Sequence, residues 1–368
     1  DTTGHNMHGR VQNVDKAVKV DDYTVTINFK SPTPNIMDII NEMSIMAPES
    51  FDKLDRVAIG TGPFKLKERI PGDHVTFVRN ENYWEEGVPY LDEVTFKPYA
   101  DLEALVTALE TGIIDGAVAV PPKDYQRLKD AGVEILFGQP GALMYSITVN
   151  PPDPDQEPGP LSDKRVRQAL NWALDRETIV EQALFGVGES TVIPFPKTSI
   201  AYFEDLANAY TFDLEKAKAL LAEAGYPGGG FSLNAITIQA YPETTDMAQI
   251  MKADLAKIGI DLEIEPLDSA AYSPRHLGTK ETGGSGVFDL DFTFVGRMHL
   301  YPLALFDNSP YRHFNSPVFP KGDFPEGYVE ALYKAGETVD REEQRALFRK
   351  INEILLDSCH DLAVSWKY

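Results

Sequence analysis

One pattern constrains the fold of this chain more than any other. Segments with a two-residue apolar period alternate with segments of helical period that carry their own start and stop signals. From Tyr23 the run Tyr-Thr-Val-Thr-Ile-Asn-Phe sets Tyr23, Val25, Ile27 and Phe29 on one face, the pattern of a half-buried strand. Ile260, Leu262 and Ile264 repeat that period, with Asp261, Glu263 and Glu265 toward water. Leu102, Leu105, Val106 and Leu109 instead follow helical spacing after Asp101, with Gly112 near the end. Asp213 is placed to N-cap a helix bearing Leu214, Ala217, Leu220, Leu221 and Ala224; Gly225 stops that helix and Pro227 bars its continuation. Asp340 and Glu343 form a capping-box pattern ahead of Leu347, Phe348, Ile351, Ile354 and Leu355. The alternation predicts a mixed α/β architecture.

At 368 residues the chain exceeds one ordinary domain and suits two or three lobes. Its 43% hydrophobic and 25% charged residues are enough for a sizeable core. Lys and Arg total 34 against 57 Asp and Glu, a net charge of −23, and a field of that sign repels phosphate backbones and anionic membranes. No nucleic-acid partner is therefore expected. The single cysteine, Cys359, permits neither a disulfide framework nor a thiolate metal cage within the chain. No apolar run is long enough to span a bilayer, and Asp1-Thr2-Thr3-Gly4-His5 does not begin a signal peptide. An export signal or membrane tether would belong to a segment outside this sequence.

Two loops stand out: a proline-dense excursion at residues 150–160 and a glycine-rich stretch at 279–286. In the first, Asp153, Asp155 and Glu157 alternate as calcium ligands do, but the interleaved prolines and the missing loop glycine oppose an EF-hand. The Gly60 and Gly62 pair suits a tight turn before a strand; no Gly-Lys-Ser/Thr follows to make a phosphate loop. Neither a Gly-x-Ser-x-Gly elbow nor a His-Glu-x-x-His helix occurs. The residues imply no metal, no cofactor and no enzyme. The alternative is a hydrolase of small acidic or glycosidic substrates, because the many carboxylates leave room for an acid pair.

Several segments in order resemble the peptide/nickel/opine (dipeptide- and oligopeptide-binding) class of ABC-importer solute-binding proteins. They are Gly60-Thr61-Gly62-Pro63-Phe64, Arg79-Asn80-Glu81-Asn82-Tyr83-Trp84, Tyr90-Leu91-Asp92-Glu93-Val94 and residues 105–115. The likeness continues through residues 164–177 (Lys-Arg-Val-Arg-Gln-Ala-Leu-Asn-Trp-Ala-Leu-Asp-Arg-Glu), residues 213–227, residues 255–260 and Phe288-Asp289-Leu290. Much of this is packing: Val166, Ala169, Leu170, Ala173 and Leu174 make one apolar helix face, and Trp84 and Trp172 read as core.

The resemblance implies a periplasmic-binding-protein-like α/β fold of two lobes joined by hinge strands, with an extra subdomain and incomplete at both ends. Residues 1–55 would be part of the extra subdomain, 56–141 the first lobe, 142–357 the second, and 358–368 a hinge strand returning to the first. The implied function is extracytoplasmic capture of a peptide-like or other small polar ligand between the lobes and its delivery to ABC transporter permease subunits. The implied location is the periplasm or cell surface of a bacterium or archaeon.

Candidate ligand contacts follow from the same likeness. Tyr145 lies on the first crossover strand, with a core tyrosine as the competing reading. Phe195 lies in a proline-rich loop near the cleft. Arg275 follows Tyr272 among polar residues of the second lobe. Val295, Arg297 and His299 occupy a strand end where peptide-binding relatives place a tryptophan and a carboxylate. Trp366 lies on the returning strand. With no acid in the Val295–His299 segment, Arg297 is expected to meet a ligand carboxylate, unless Asp291 or another protein carboxylate neutralises it.

Overall fold

The computed structural model describes residues 13–34, 36–41, 44–53, 59–118, 120–138, 143–150, 158–277, 288–296 and 325–367. The described strands are β1 (Val14–Lys19), β2 (Val25–Phe29), β3 (Phe64–Ile70), β4 (His74–Arg79), β5 (Glu93–Phe96), β6 (Leu143–Val149), β7 (Glu189–Ser190), β8 (Phe231–Ile238), β9 (Ile260–Leu267), β10 (Leu290–Gly296) and β11 (Asp361–Lys367). The chain divides into two compact units. One comprises Asp1–Asp38, Pro121–Lys123 and Ile135–Tyr368, the other Ile39–Val120 and Asp124–Glu134.

Local chemistry sets the helices where the sequence places them. Asp101, Asp213 and Asp340 each turn a side-chain oxygen onto the backbone N–H three residues on, capping the helices Leu102–Glu110, Leu214–Glu223 and Arg341–Ser358. Gly225 takes the left-handed conformation (φ 93°) that ends the second of these. Glu343 does not complete a reciprocal box: its carboxylate pairs with Lys334 at 2.9 Å.

The larger unit is built on a six-stranded mixed sheet in the order β7-β11-β6-β10-β8-β9. β8 runs parallel to both β9 and β10, while β6 is antiparallel to β10 and β11. Alternate residues feed two apolar layers. Tyr145, Ile147, Val149, Leu290, Phe292, Leu362 and Val364 enter one core with Met247, Ala248, Met251 and Leu255 of the helix Glu243–Ala256. Met144, Ala363 and Trp366 face the other way, onto Tyr328, Ala331, Phe348 and Ile351 of the helices Tyr328–Glu337 and Arg341–Ser358. Each fully buried Leu, Ile or Phe contributes about 1.5–3 kcal/mol. β8 and β9 begin in close contact: Gly230 N–H donates to Gly259 C=O at 2.8 Å, and a Cβ on Gly259 (φ 79°) would fall onto the Gly228 carbonyl oxygen.

The smaller unit carries the antiparallel sheet β3-β4-β5, with Phe77 and Phe96 edge to face at 6.0 Å. Its helices Leu102–Glu110 and Tyr125–Asp130 are joined by the Arg127–Glu110 ion pair. Gly60 pairs with Met46 in an isolated bridge, where a side chain would press on the Ile45 carbonyl.

Two expectations need correction. The strand expected from Tyr23 starts only at Val25 and pairs with β1, Tyr23 lying in the bend before it; Tyr23, Val25 and Ile27 are exposed, because among the described residues no layer covers this two-stranded ribbon. Trp84 is 77% exposed rather than core: it stands in the loop after β4 beside Tyr83, and no described element packs over it. Trp172 does pack, against Tyr210 at 4.9 Å and under the Lys216 ammonium.

Candidate functional site

Strand direction decides where the larger unit can present a site. β8, β9, β10 and β11 run the same way, so their C-terminal ends share one edge of the sheet with the start of β6. β8 leads outward through the helix Glu243–Ala256 to β9. β10, on its other side, leads toward β11 by way of the helices Tyr328–Glu337 and Arg341–Ser358. Neighbouring strands whose connections depart in opposite directions leave a crevice at their carboxyl ends, where open α/β sheets hold ligands. In this sheet the switch point lies between β8 and β10.

Named side chains converge there. Tyr145 of β6 stands in register with Phe294 of β10 and Ser365 of β11. Its hydroxyl donates to Glu243 Oε1 at 2.5 Å. Lys367 Nζ, from the end of β11, lies 3.3 Å from the same oxygen. Glu243 opens the helix after β8 and is only 4% exposed. Among the described residues nothing hydrogen-bonds its second oxygen, Oε2. Tyr241, two residues earlier, packs its ring on Phe294 with centroids 4.1 Å apart. Burial, then the Glu243 charge, raises the pKa of the Tyr241 phenol. The same two causes raise that of the Asp246 carboxyl, against the opposing charge of Lys123.

A second polar cluster occupies the opposite face of β10. Asp291 is wholly buried and both of its oxygens are taken. Tyr272 Oη donates to Oδ1 at 2.9 Å, and His276 Nδ1 lies 2.5 Å from Oδ2. The Tyr272 ring stacks on His276 at 5.0 Å, and burial with the Asp291 charge holds its phenol far above the usual range. This cluster ties the helix Ser269–Leu277 to β10.

The residues expected to meet ligand are distributed as follows. Met144 has Val295 and Trp366 as its register partners on either side, so three of the expected positions (with Tyr145) lie on adjacent strands at one end of the sheet. Tyr145 is buried beneath Glu243. Trp366 and Phe195 are buried together in the core on the other face, Phe195 with its ring 6.2 Å from that of Phe348. Arg275 pairs with Glu265 at 2.6 Å on the helix after β9. Arg297 and His299 lie outside the described residues. Asp291, weighed as the partner of Arg297, is engaged by Tyr272 and His276. Sequence reasoning missed Glu243, Tyr241 and Lys367. Pro242-Glu243 directly after an apolar strand run was the available signal, since it marks the turn at a strand's carboxyl end.

A mixed α/β sheet with helices on both faces and polar groups at its switch point is an arrangement in which open α/β sheets hold ligands, and the fold is that of the periplasmic binding proteins. The family profile of the bacterial extracellular solute-binding proteins, family 5, middle region, matches residues 2–291, and the chain belongs to that family. The glutathione-binding protein GsiB of Salmonella paratyphi A is 27% identical over 355 residues, covering 94% of this chain and 67% of that protein. Among solved structures, the periplasmic binding protein DppA of Helicobacter pylori, in complex with the peptide STSA, superposes with a TM-score of 0.78 at 24% identity, covering 99% of this chain and 70% of that one. NikA of Brucella suis, in complex with Fe(III)-EDTA, gives 0.80 at 23% identity, covering 100% and 76%. At that identity the two structures speak for the fold. The family is one of transport solute-binding proteins and not of catalysts. Among the described residues no helix is long and apolar enough to cross a membrane.

Proposed function

We propose that this chain captures a peptide-like or other small polar solute between two lobes at the C-terminal rim of the six-stranded sheet and passes it to the permease subunits of an ABC transporter. The observation that carries this reading is the convergence of Tyr145, Glu243, Tyr241, Phe294 and Lys367, from four elements, at the β8/β10 switch point. Relatives that bind glutathione or a peptide support the ligand class. The mechanism is an equilibrium between open and closed lobes, in which a ligand touching both favours the closed state; no bond is made or broken. The lobe boundaries given above are part of the proposal, as is an extracytoplasmic location.

The test is a thermal-shift screen of the purified chain against pools of peptides, sugars, amino-acid derivatives and metal chelates. A binder at a hundred times its Kd adds about 2.7 kcal/mol of stability. One pool is expected to raise the melting temperature. Saturable turnover of any pool member by the pure protein would overturn the reading.

A further inference from the structure

The two oxygens of Glu243 differ in a way that the fold does not require. Oε1 receives both the Tyr145 hydroxyl and the Lys367 ammonium, whereas Oε2 has no partner among the described residues. A buried carboxylate is stable when its lone pairs are satisfied, so an open oxygen at a ligand rim is an acceptor held in readiness. Tyr145 is fully buried and Lys367 largely so, and together they anchor Oε1. Tyr241 and Phe294 supply ring faces at the same switch point, and rings of this kind favour a neighbouring cation. Asp246, one helical turn on, adds a second carboxylate beside Glu243, with Lys367 and Lys123 as the neighbouring cations.

We infer that Glu243 is a specificity-determining residue that receives a primary ammonium group of the ligand through Oε2, with Tyr145 and Lys367 as positioning residues. The inference rests on solute capture at this rim. It moves the acidic anchor from the Val295–His299 segment, which has none, to the turn between β8 and its helix.

The test uses the full chain and three pools: di- to penta-alanine with free amino termini, the same peptides N-acetylated, and amine-free sugars and dicarboxylates. Thermal shift ranks the pools, and calorimetry gives affinities for matched free and acetylated peptides. The free-amine pool is expected to stabilise the protein, and acetylation to weaken binding about thirtyfold or more, as for a lost charged hydrogen bond. Glu243→Gln is expected to erase most of that difference. Tyr145→Phe, which keeps the charge but loosens it, is expected to weaken the free peptide several-fold and to leave the acetylated one unchanged. Equal binding of free and acetylated peptides, stabilisation by the amine-free pool alone, or an equal loss for both peptides in Tyr145→Phe would overturn the inference while solute capture stands. If no pool shifts the melting temperature, the capture reading falls and takes the inference with it.

Discussion

Two buried carboxylates serve opposite faces of the sheet, Asp291 near the start of β10 and Glu243 at the rim where β8 ends, and they are solved differently. Asp291 spends both oxygens on its own protein, one on Tyr272 and one on His276, and so fastens a helix to a strand. Glu243 gathers its two partners on a single oxygen. A saturated cluster explains its own presence by stability; a half-used one does not, and that asymmetry separates scaffold from site more sharply than burial, since both residues are buried.

The largest effect should come from breaking the saturated side. Asp291→Ala strands His276 and Tyr272 in a closed cluster, and loss of one partner of a buried pair costs about 3–5 kcal/mol. Chemical denaturation should show that loss. A change under about 1 kcal/mol would show that the cluster does not hold the helix Ser269–Leu277 to β10.

A pH arm sharpens the scaffold side of the contrast. His360, at the turn into β11, is buried, and burial followed by the charge of Arg167 lowers its pKa to about 3. The unfolded chain takes up this proton below about pH 6.5 while the folded chain refuses it, so stability falls as pH drops from about 6.5 toward 3, by up to about 1.4 kcal/mol per unit. His360→Gln should flatten that slope in melting curves. An unchanged slope would exclude His360 as its source.

The half-used side should lose less. Glu243→Gln keeps the shape and an oxygen for Tyr145 but takes the counter-charge from the largely buried Lys367 ammonium, so unliganded stability is expected to fall by about 1.5–3 kcal/mol. Tyr145→Phe leaves that ion pair in place and removes one buried hydroxyl, at a cost of about 1 kcal/mol. If Glu243→Gln unfolded the protein as Asp291→Ala does, the contrast between the two carboxylates would collapse.

The helices were legible because their signals are local. Asp101, Asp213 and Asp340 lie within three residues of the amides they cap. The family likeness also brought Tyr145, Val295 and Trp366 to strands that prove to be neighbours. Glu243 and Lys367 were not legible. Tyr145 and Glu243 are 98 positions apart, and only the order β11-β6-β10-β8 brings the three groups together. Strand order is a property of long-range pairing, which the period of a segment does not encode. Apolar period also misled at Tyr23, Val25 and Ile27: alternation fixes which residues share a face, not whether anything covers it.

The central claim, capture at the C-terminal rim, is tested most directly by amide hydrogen exchange with and without a saturating amount of the peptide or solute that stabilises the protein. The account predicts that protection gained on binding concentrates at residues 239–245, at 294–299 and at 365–367, where β8, β10 and β11 end. Protection confined to the opposite edge of the sheet, around residues 231–233, 260–262 and 148–150, would contradict it.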